Sequence, residues 1–219
     1  MSTEVVEKME EKKPKEALLS KKRKSLVSNP MDSDNPITIQ VLGICSALAV
    51  TIALEGTVIM ALAVTFVLVM ANVVISALRN TIPNRIRIIV QLVVVATLVA
   101  TVDQVLRAFA YEQSKALSVF VGLIITNCIV MGRLEAFALG NKPWDSFLDG
   151  VGNAFGYGWI IIAIAFVREL FGAGKLFGVE VLSKDWYTAN GFFATPAAAC
   201  IILGVIIWIM RARSGYVED

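Results

Sequence analysis

The sequence contains no histidine and only three cysteines among its 219 residues. The missing imidazole excludes histidine-based catalysis, haem ligation through histidine and histidine-ligated zinc within this chain. Cys45, Cys128 and Cys200 form no CxxC pair and all lie in apolar stretches, so a secreted disulfide framework is not expected. Charge is also scarce, because Asp, Glu, Lys and Arg make up 17% of the chain, against about 25% in soluble domains.

The first 34 residues carry eight Lys and Arg and lack an apolar core. A cleavable signal peptide needs such a core, so none is predicted. We interpret residues 1–34 as a Lys-rich, disordered cytoplasmic tail. Its basic side chains could contact anionic membrane lipid.

Six long uncharged stretches follow this tail, and hydrophobic residues make up 57% of the chain. A transmembrane helix needs about 20 mostly apolar residues. The third stretch extends to residue 106 if Asp103 is tolerated within it. We predict an all-α integral membrane protein with a six-helix domain over residues 35–213 and a short C-terminal tail over residues 214–219. The predicted spans are residues 35–54, 56–78, 88–102, 116–132, 150–167 and 186–210.

The distribution of Lys and Arg predicts the orientation of these spans. With a cytoplasmic N-terminus, fifteen of the 20 basic residues fall on the inner side and five on the outer side. Because short cytoplasmic loops of membrane proteins are enriched in Lys and Arg, both termini are expected in the cytoplasm.

The two halves of the chain share a pattern. Three spans fall in residues 35–107 and three in residues 115–213, and the second and fifth spans each end in Ile-x-x-x-Arg. With three spans per half, the second half must cross the membrane in the opposite sense to the first. This pattern predicts two inverted three-helix repeats, an architecture known from membrane transporters.

Cys45 and Cys128 occupy corresponding places in the first and fourth spans. Gly43 and Asn127 weaken the helix just before each cysteine, so both helices are predicted to break near mid-membrane, where broken helices build cofactor and ion sites. Two thiolates are half of the four-cysteine ligand set of a [2Fe–2S] centre, and another chain would complete the set. The alternative is that both are small buried hydrophobic residues. Cys200 has no counterpart and is assigned to packing.

Two of the acidic residues that lie inside or beside predicted spans have two interpretations each. Asp103 either pairs with Arg107 at the outer interface or marks the outer mouth of a cation path. Asp149 either favours the positive N-terminal end of the fifth helix or marks the inner mouth of the same path. Three arginines at span ends are predicted to anchor the chain at the membrane interface: Arg79, Arg133 and Arg168.

Glycine is concentrated at the start of the fifth span, in residues 150–158 (GVGNAFGYG). Small residues at this spacing let another helix pack closely. A nucleotide-binding loop is excluded, because this stretch leads into a membrane helix and follows no strand.

Several of these segments resemble one family of membrane proteins, and the most specific is residues 120–133 (FVGLIITNCIVMGR). The chain resembles the D-type subunits of the bacterial sodium-translocating NADH:quinone oxidoreductases. The similarity covers about residues 35–180 and the last span more loosely. The other segments that carry it are residues 35–51 (NPITIQVLGICSALAVT), 79–84 (RNTIPN), 86–91 (IRIIVQ), 102–107 (VDQVLR), 146–150 (SFLDG) and 168–178 (RELFGAGKLFG).

The resemblance implies a component of a six-subunit complex in the inner (cytoplasmic) membrane of a bacterium. This complex drives sodium out of the cell with electrons passing from NADH to ubiquinone. It implies that Cys45 and Cys128 join two cysteines of a homologous, oppositely oriented E-type subunit around one [2Fe–2S] centre. Flavins and the NADH site would belong to the other subunits, named A, B, C and F. Two alternatives are the corresponding component of an Rnf electron-transport complex, where Pro tends to stand in place of Ser46, and a non-redox ion-transport half with structural cysteines.

Overall fold

Helices joined by short turns make up nearly all of the chain that the computed structural model describes, which is residues 26–31, 34–83, 85–109, 122–176, 179–180 and 191–214. Residues 26–28 and 122–125 are also helical, and 3₁₀ turns cover Asn29–Met31 and Gly191–Ala194. Two-residue strands β1 (Lys175–Leu176) and β2 (Val179–Glu180) pair antiparallel. The helices with defined bounds are α1 (Ile44–Val50), α2 (Leu54–Leu78), α3 (Arg87–Phe109), α4 (Cys128–Arg133), α5 (Pro143–Ala173) and α6 (Pro196–Ser214).

Helices α2 and α5 form the centre of the fold and make its most extensive helix–helix contact. Most of their residues are buried, whereas α3 and α6 lie outside them and are mostly exposed. Backbone groups inside a bilayer have no water to bond, so a chain this apolar satisfies them within helices. The central contact is filled by apolar residues of both helices: Val64, Val67, Leu68, Ala71 and Ile75 from α2, and Ala154, Tyr157, Ile160, Ile161 and Ile164 from α5.

Four helices in the described part of the chain are long and apolar enough to cross a membrane, namely α2, α3, α5 and α6. They confirm the all-α membrane class and correspond to the second, third, fifth and sixth predicted spans. Helix α3 continues through Asp103 to Phe109. Helix α5 begins at Pro143, a residue type that suits the first helical turn, so Asp149 lies in the second turn. The predicted start of the fifth span at residue 150 is therefore too late, and Asp149 does not lie at the N-terminal end of this helix.

The first and fourth predicted spans are not continuous helices. In the first, Val41 and Gly43 have left-handed backbone angles, with φ of 56° and 80°, and α1 begins only at Ile44. In the fourth, Asn127 is extended, with φ −67° and ψ 121°, between the helical residues 122–125 and α4. Helix α4 then runs into a π-helical turn, Leu134–Ala138. Both interruptions fall immediately before a cysteine.

The glycine-rich face of α5 is covered by the segment that precedes the first break. A Cβ added at Gly152 would lie 2.6 Å from the carbonyl oxygen of Leu26, and one at Gly156 would overlap the carbonyl of Pro30. The side chain of Asn35 donates to the carbonyl of Gly156 at 3.2 Å. Residues 26–31, which sequence analysis assigned to the disordered tail, thus pack closely on α5.

Several sequence-based predictions fall on residues outside the described part of the chain. They are the greater part of the Lys-rich tail, over residues 1–25, and the final residues 215–219. The start of the fourth predicted span, residues 116–121, and the start of the sixth, residues 186–190, also lie outside it.

Candidate functional site

Cys45 and Cys128 meet at the two helix breaks. Cys45 is the second residue of α1 and Cys128 is the first residue of α4. Their side chains are near enough to interact electrostatically, and both residues are exposed on the surface of the chain. The predicted convergence of these two residues is thus observed, and their thiols face outward where another chain has access.

The backbone positions of the two cysteines are fixed by the residues beside them. Asn127 caps α4 by accepting a 3.3 Å hydrogen bond from the backbone N–H of Ile129. Gly43 precedes α1 in the left-handed region, where glycine is favoured because it has no Cβ. Each cysteine therefore lies in the first turn of a helix, where backbone N–H groups lack intrahelical acceptors.

A buried hydroxyl network connects the two breaks. The Ser46 hydroxyl donates to the carbonyl of Gly43 at 2.8 Å and accepts from the Asn127 amide at 3.3 Å. The Tyr157 hydroxyl lies 2.7 Å from the same Ser46 oxygen. Tyr157 belongs to α5 and is 1% exposed. Ser46 follows one cysteine and Asn127 precedes the other, so this network joins the immediate neighbours of both thiols.

The third cysteine lies on a different helix from the pair. Cys200 is on α6 and is exposed, so its assignment to packing within this chain does not match its position. Among the described residues, no group of three or more His, Cys, Asp or Glu side chains could hold a metal ion. Within that part of the chain, Cys45 and Cys128 offer two soft sulfur ligands at one place, a donor pair that suits iron–sulfur chemistry and leaves two positions to be filled.

Asp149 forms a buried ion pair that sequence analysis did not anticipate. Both carboxylate oxygens accept from the Arg133 guanidinium, and the Nε to Oδ2 distance is 3.1 Å. The Asp149 and Arg133 side chains are 2% and 14% exposed. Asn153, one turn along α5, adds a 3.1 Å bond to Asp149 Oδ1. Arg133 is thus a largely buried partner of Asp149, and its assignment as an interface anchor stays a prediction.

Three fully buried oxygen atoms close to Asp149, along α5 and across the α2–α5 contact, have no hydrogen-bond partner among the described residues. They are Asn72 Oδ1, Ser146 Oγ and Asn153 Oδ1. The Asn72 amide donates to the carbonyl of Ser146 at 3.2 Å, which places α2 against this part of α5. Buried polar groups are normally paired, so unpaired acceptors in a core mark a place where a ligand or water would be stabilised.

Asp103 pairs with Arg107, as one of its two interpretations predicted. The distance from Arg107 Nη2 to Asp103 Oδ2 is 2.9 Å, one helical turn apart on α3. The Arg107 side chain is largely exposed.

Near the other end of α3, Arg87 and Gln91 both contact the Glu135 carboxylate. These contacts connect α3 to the π-helical turn after α4.

Arg168, also expected at the membrane interface, is 2% exposed and clamps α1 to the turn before α6. It donates to Thr51 Oγ1 at 2.6 Å and to the carbonyl of Leu48 at 3.3 Å. Its other bonds go to the carbonyls of Phe193, Ala194 and Thr195. The interface-anchor prediction is therefore wrong for this residue, and Arg168 instead fixes the far end of the cysteine-bearing helix α1.

Sequence reasoning missed Ser46, Tyr157 and Asn153 as parts of the site. Ser46 adjoins Cys45, and that adjacency was a usable signal, because polar groups next to metal ligands commonly hold those ligands in place. Tyr157 and Asn153 lie within the glycine-rich start of the fifth span, where the pattern indicated only close packing. Their spacing along the chain gives no hint that α5 passes beside both helix breaks.

Comparison with known proteins identifies relatives over most of the chain. Residues 23–207 match the family described as "Rnf-Nqr subunit, membrane protein". The chain is 55% identical over 196 residues to a Shewanella baltica protein named as the D-type subunit of a Na(+)-translocating NADH-quinone reductase, covering 88% of this chain and 93% of that protein. A Pasteurella multocida protein of the same name is also 55% identical over 196 residues, covering 88% of this chain and 94% of the relative.

Proposed function

Because the chain belongs to the Rnf-Nqr subunit family of membrane proteins, we propose that it serves as a D-type subunit of a Na⁺-translocating NADH-quinone reductase. In this role Cys45 and Cys128 supply half of the ligands of an intramembrane [2Fe–2S] centre. The observation that carries the proposal is the proximity of these two exposed cysteines, each in the first turn of a helix that follows a break. The names of the 55% identical relatives support the same complex.

A two-cysteine site on an exposed surface requires a second chain. A [2Fe–2S] centre takes four protein ligands, so a homologous E-type subunit in the opposite orientation would supply the other two. Such a centre, when bound, carries one electron at a time. The residues of this chain bind it and orient it within the membrane, while flavins and the NADH site belong to the subunits named A, B, C and F. Membrane lipid covers the remaining apolar surface.

The order of helices supports two inverted three-helix repeats. Each half has a short helix with a cysteine in its first turn, then a long buried helix, then a long exposed helix: α1, α2 and α3 in one half and α4, α5 and α6 in the other. In a six-span arrangement, the broken segments around α1 and α4 cross the membrane as interrupted helices. Both termini then lie in the cytoplasm of the cell, with the chain in the inner membrane. A periplasm-specific reporter fused after Asp219 should stay inactive, and strong activity would contradict this topology.

Asp103 and Asp149 are proposed to stand at the outer and inner mouths of a sodium path. Sodium prefers oxygen ligands, and unpaired buried oxygens of Asn72, Ser146 and Asn153 lie near Asp149. Asp149 is neutralised by Arg133, so sodium would compete with that guanidinium for the carboxylate. Asp149→Asn should then weaken the stimulation of quinone reduction by sodium, and Asp103→Asn should act on sodium release. If both turnover curves overlay the unmodified complex, the path lies in other subunits.

The decisive experiment for the redox role is iron analysis of the assembled complex with single cysteine replacements. Cys45→Ala and Cys128→Ala should each remove the iron and acid-labile sulfide of this centre and stop NADH-driven quinone reduction, because each deletes a thiolate ligand. Cys200→Ala is the matched control and should retain both iron and activity.

Iron content that stays normal in the Cys45 or Cys128 variants would overturn the ligand assignment. Iron that is absent from the unmodified complex would instead favour a non-redox ion-transport half with structural cysteines. The electron acceptor of the purified complex separates the proposed reductase from an Rnf-type complex, since the proposal requires quinone reduction.

A further inference from the structure

The Ser46 hydroxyl is the central group of the network between the two cysteine-bearing helices, and the donor and acceptor of each of its hydrogen bonds can be assigned. A serine hydroxyl has one hydrogen to donate and two lone pairs to accept. Its hydrogen goes to the carbonyl of Gly43, so its lone pairs are left for the Asn127 amide and the Tyr157 hydroxyl. Tyr157 is therefore the donor in the 2.7 Å bond, and the bonding capacity of this buried hydroxyl is filled.

Asn127 and Tyr157, the two side-chain partners of the Ser46 hydroxyl, are each held by a second contact. The side-chain oxygen of Asn127 accepts from the backbone N–H of Ile129, and its side-chain nitrogen donates to Ser46. The side-chain amide of Asn127 is therefore held at both its oxygen and its nitrogen. The Tyr157 ring lies against the backbone at Gly43, where an added Cβ would be 3.0 Å from Cε2. Helix α5 thus presents one side chain to both breaks, and that side chain connects α5 to this network.

The chemistry of an iron–sulfur centre makes such supporting contacts consequential. Its reduction potential depends on hydrogen bonds to the sulfurs, on solvent exposure and on the orientation of the ligands. Both cysteines lie in first helical turns, whose backbone N–H groups lack intrahelical acceptors. The Asn127 side chain takes the N–H of Ile129, and the other N–H groups of these turns can donate to sulfur. Any loosening of the two helix starts relative to each other changes those N–H contacts without removing a ligand.

We propose that Tyr157 is a positioning residue for the redox centre: through Ser46 and Asn127, its hydroxyl fixes the two cysteine-bearing helix starts relative to each other and so sets the reduction potential of the cluster. This inference rests on the proposed function, because it presumes that Cys45 and Cys128 bind the cluster. Tyr157 touches neither electron donor nor acceptor in this role and acts through the ligands.

The experiment is a potentiometric titration of the assembled complex that carries Tyr157→Phe, followed by electron paramagnetic resonance. The phenyl ring keeps its packing against Gly43, so iron content should equal that of the unmodified complex. Without the Tyr157 hydroxyl, the two helix starts loosen and their N–H groups donate more weakly to the cluster sulfurs. This destabilises the reduced cluster, which carries the more negative charge, and so lowers the reduction potential. At the potential that half-reduces the unmodified centre, the ratio of reduced to oxidised cluster should fall about tenfold, which is about 59 mV for a one-electron couple. The g-values should also change.

The matched control is Trp159→Phe, which alters an exposed aromatic residue two positions along α5 and should leave potential and spectrum unchanged. A potential and spectrum that are unchanged in Tyr157→Phe, with normal iron, would overturn the inference. If Tyr157→Phe loses iron, the reduction potential is measured in Ser46→Ala instead. A shifted potential in Ser46→Ala supports the positioning role, and an unshifted potential rejects it. Failure of the proposed function is distinct, because iron content would then stay normal in Cys45→Ala and Cys128→Ala.

Discussion

Arg133 and Asp149 form an ion pair in which both carboxylate oxygens accept from one guanidinium, with the aspartate side chain 2% exposed. Arg133 ends α4, the helix that Cys128 begins, and Asp149 lies in the second turn of α5. The pair therefore connects the end of a cysteine-bearing helix to the central helix of the fold.

We expect each single replacement of this pair, Arg133→Gln or Asp149→Asn, to lower the free energy of unfolding by about 3–5 kcal/mol, because it leaves one buried charge without its partner. The double variant should lose less than the sum of the two single losses, since neither charge is then left alone. Denaturant titration of the purified complex, following release of this chain, provides the measurement. Strictly additive losses would show that the two side chains do not interact.

Replacing Arg168 should lower the free energy of unfolding for a different reason, because Arg168 donates to four backbone carbonyls and to the Thr51 hydroxyl. Arg168→Leu leaves several buried acceptors unpaired, at about 1–3 kcal/mol for each one that water does not reach. Arg168→Lys should restore only part of the stability, since an ammonium lacks the planar fork of a guanidinium.

Iron content should fall together with stability in Arg168→Leu, because the far end of α1 is no longer held. The matched control is Arg107→Leu, which removes an exposed arginine paired with Asp103 and should cost less than about 1 kcal/mol. Equal losses in these two leucine variants would contradict the clamp described for Arg168.

The sequence predicted the membrane class, the long helices and the meeting of Cys45 with Cys128, because each depends on local composition or on matched positions in two halves. It did not predict that Arg168 is buried, or that Arg133 pairs with Asp149 and is largely buried. A basic residue at the end of an apolar run has the same local pattern whether it faces lipid headgroups or a neighbouring helix. Only the tertiary contacts decide between these, namely the bonds of Arg133 to Asp149 and of Arg168 to the end of α1. Single-sequence patterns carry no information on such contacts.

Because the α5 glycines differ in how closely they are packed, we expect an added methyl group to have different effects at Gly156 and at Gly158. Gly156→Ala would drive a Cβ into the carbonyl of Pro30, whereas the nearest atom to a Cβ at Gly158 is Ala61 Cβ at 3.7 Å. We expect Gly156→Ala to displace residues 26–31 from α5, and Gly158→Ala to be tolerated. Limited proteolysis of the complex within the first 35 residues measures this directly. Similar cleavage in the two variants would show that this segment does not depend on the glycine face.

Gly43 provides the most direct test of how the backbone places a cysteine. Its φ of 80° costs an L-residue about 1–2 kcal/mol, and an added Cβ would lie 3.0 Å from the Tyr157 ring. Gly43→Ala should therefore shift the start of α1 and reduce iron retention by the complex during dialysis against a chelator. Gly122→Ala is the control, because a Cβ at that position would meet no heavy atom of the described residues within 4 Å, apart from its chain neighbours and the backbone of its own helix.

A second variant separates the steric effect from the hydrogen bonds. Tyr157→Phe retains the ring carbon that an added Cβ at Gly43 would meet, so the double variant Gly43→Ala/Tyr157→Phe should retain iron no better than Gly43→Ala alone. Tyr157→Leu removes that ring, and its combination with Gly43→Ala should recover part of the iron because only the backbone cost remains. If Gly43→Ala retains iron as well as Gly122→Ala does, the left-handed turn before α1 is not needed to place Cys45.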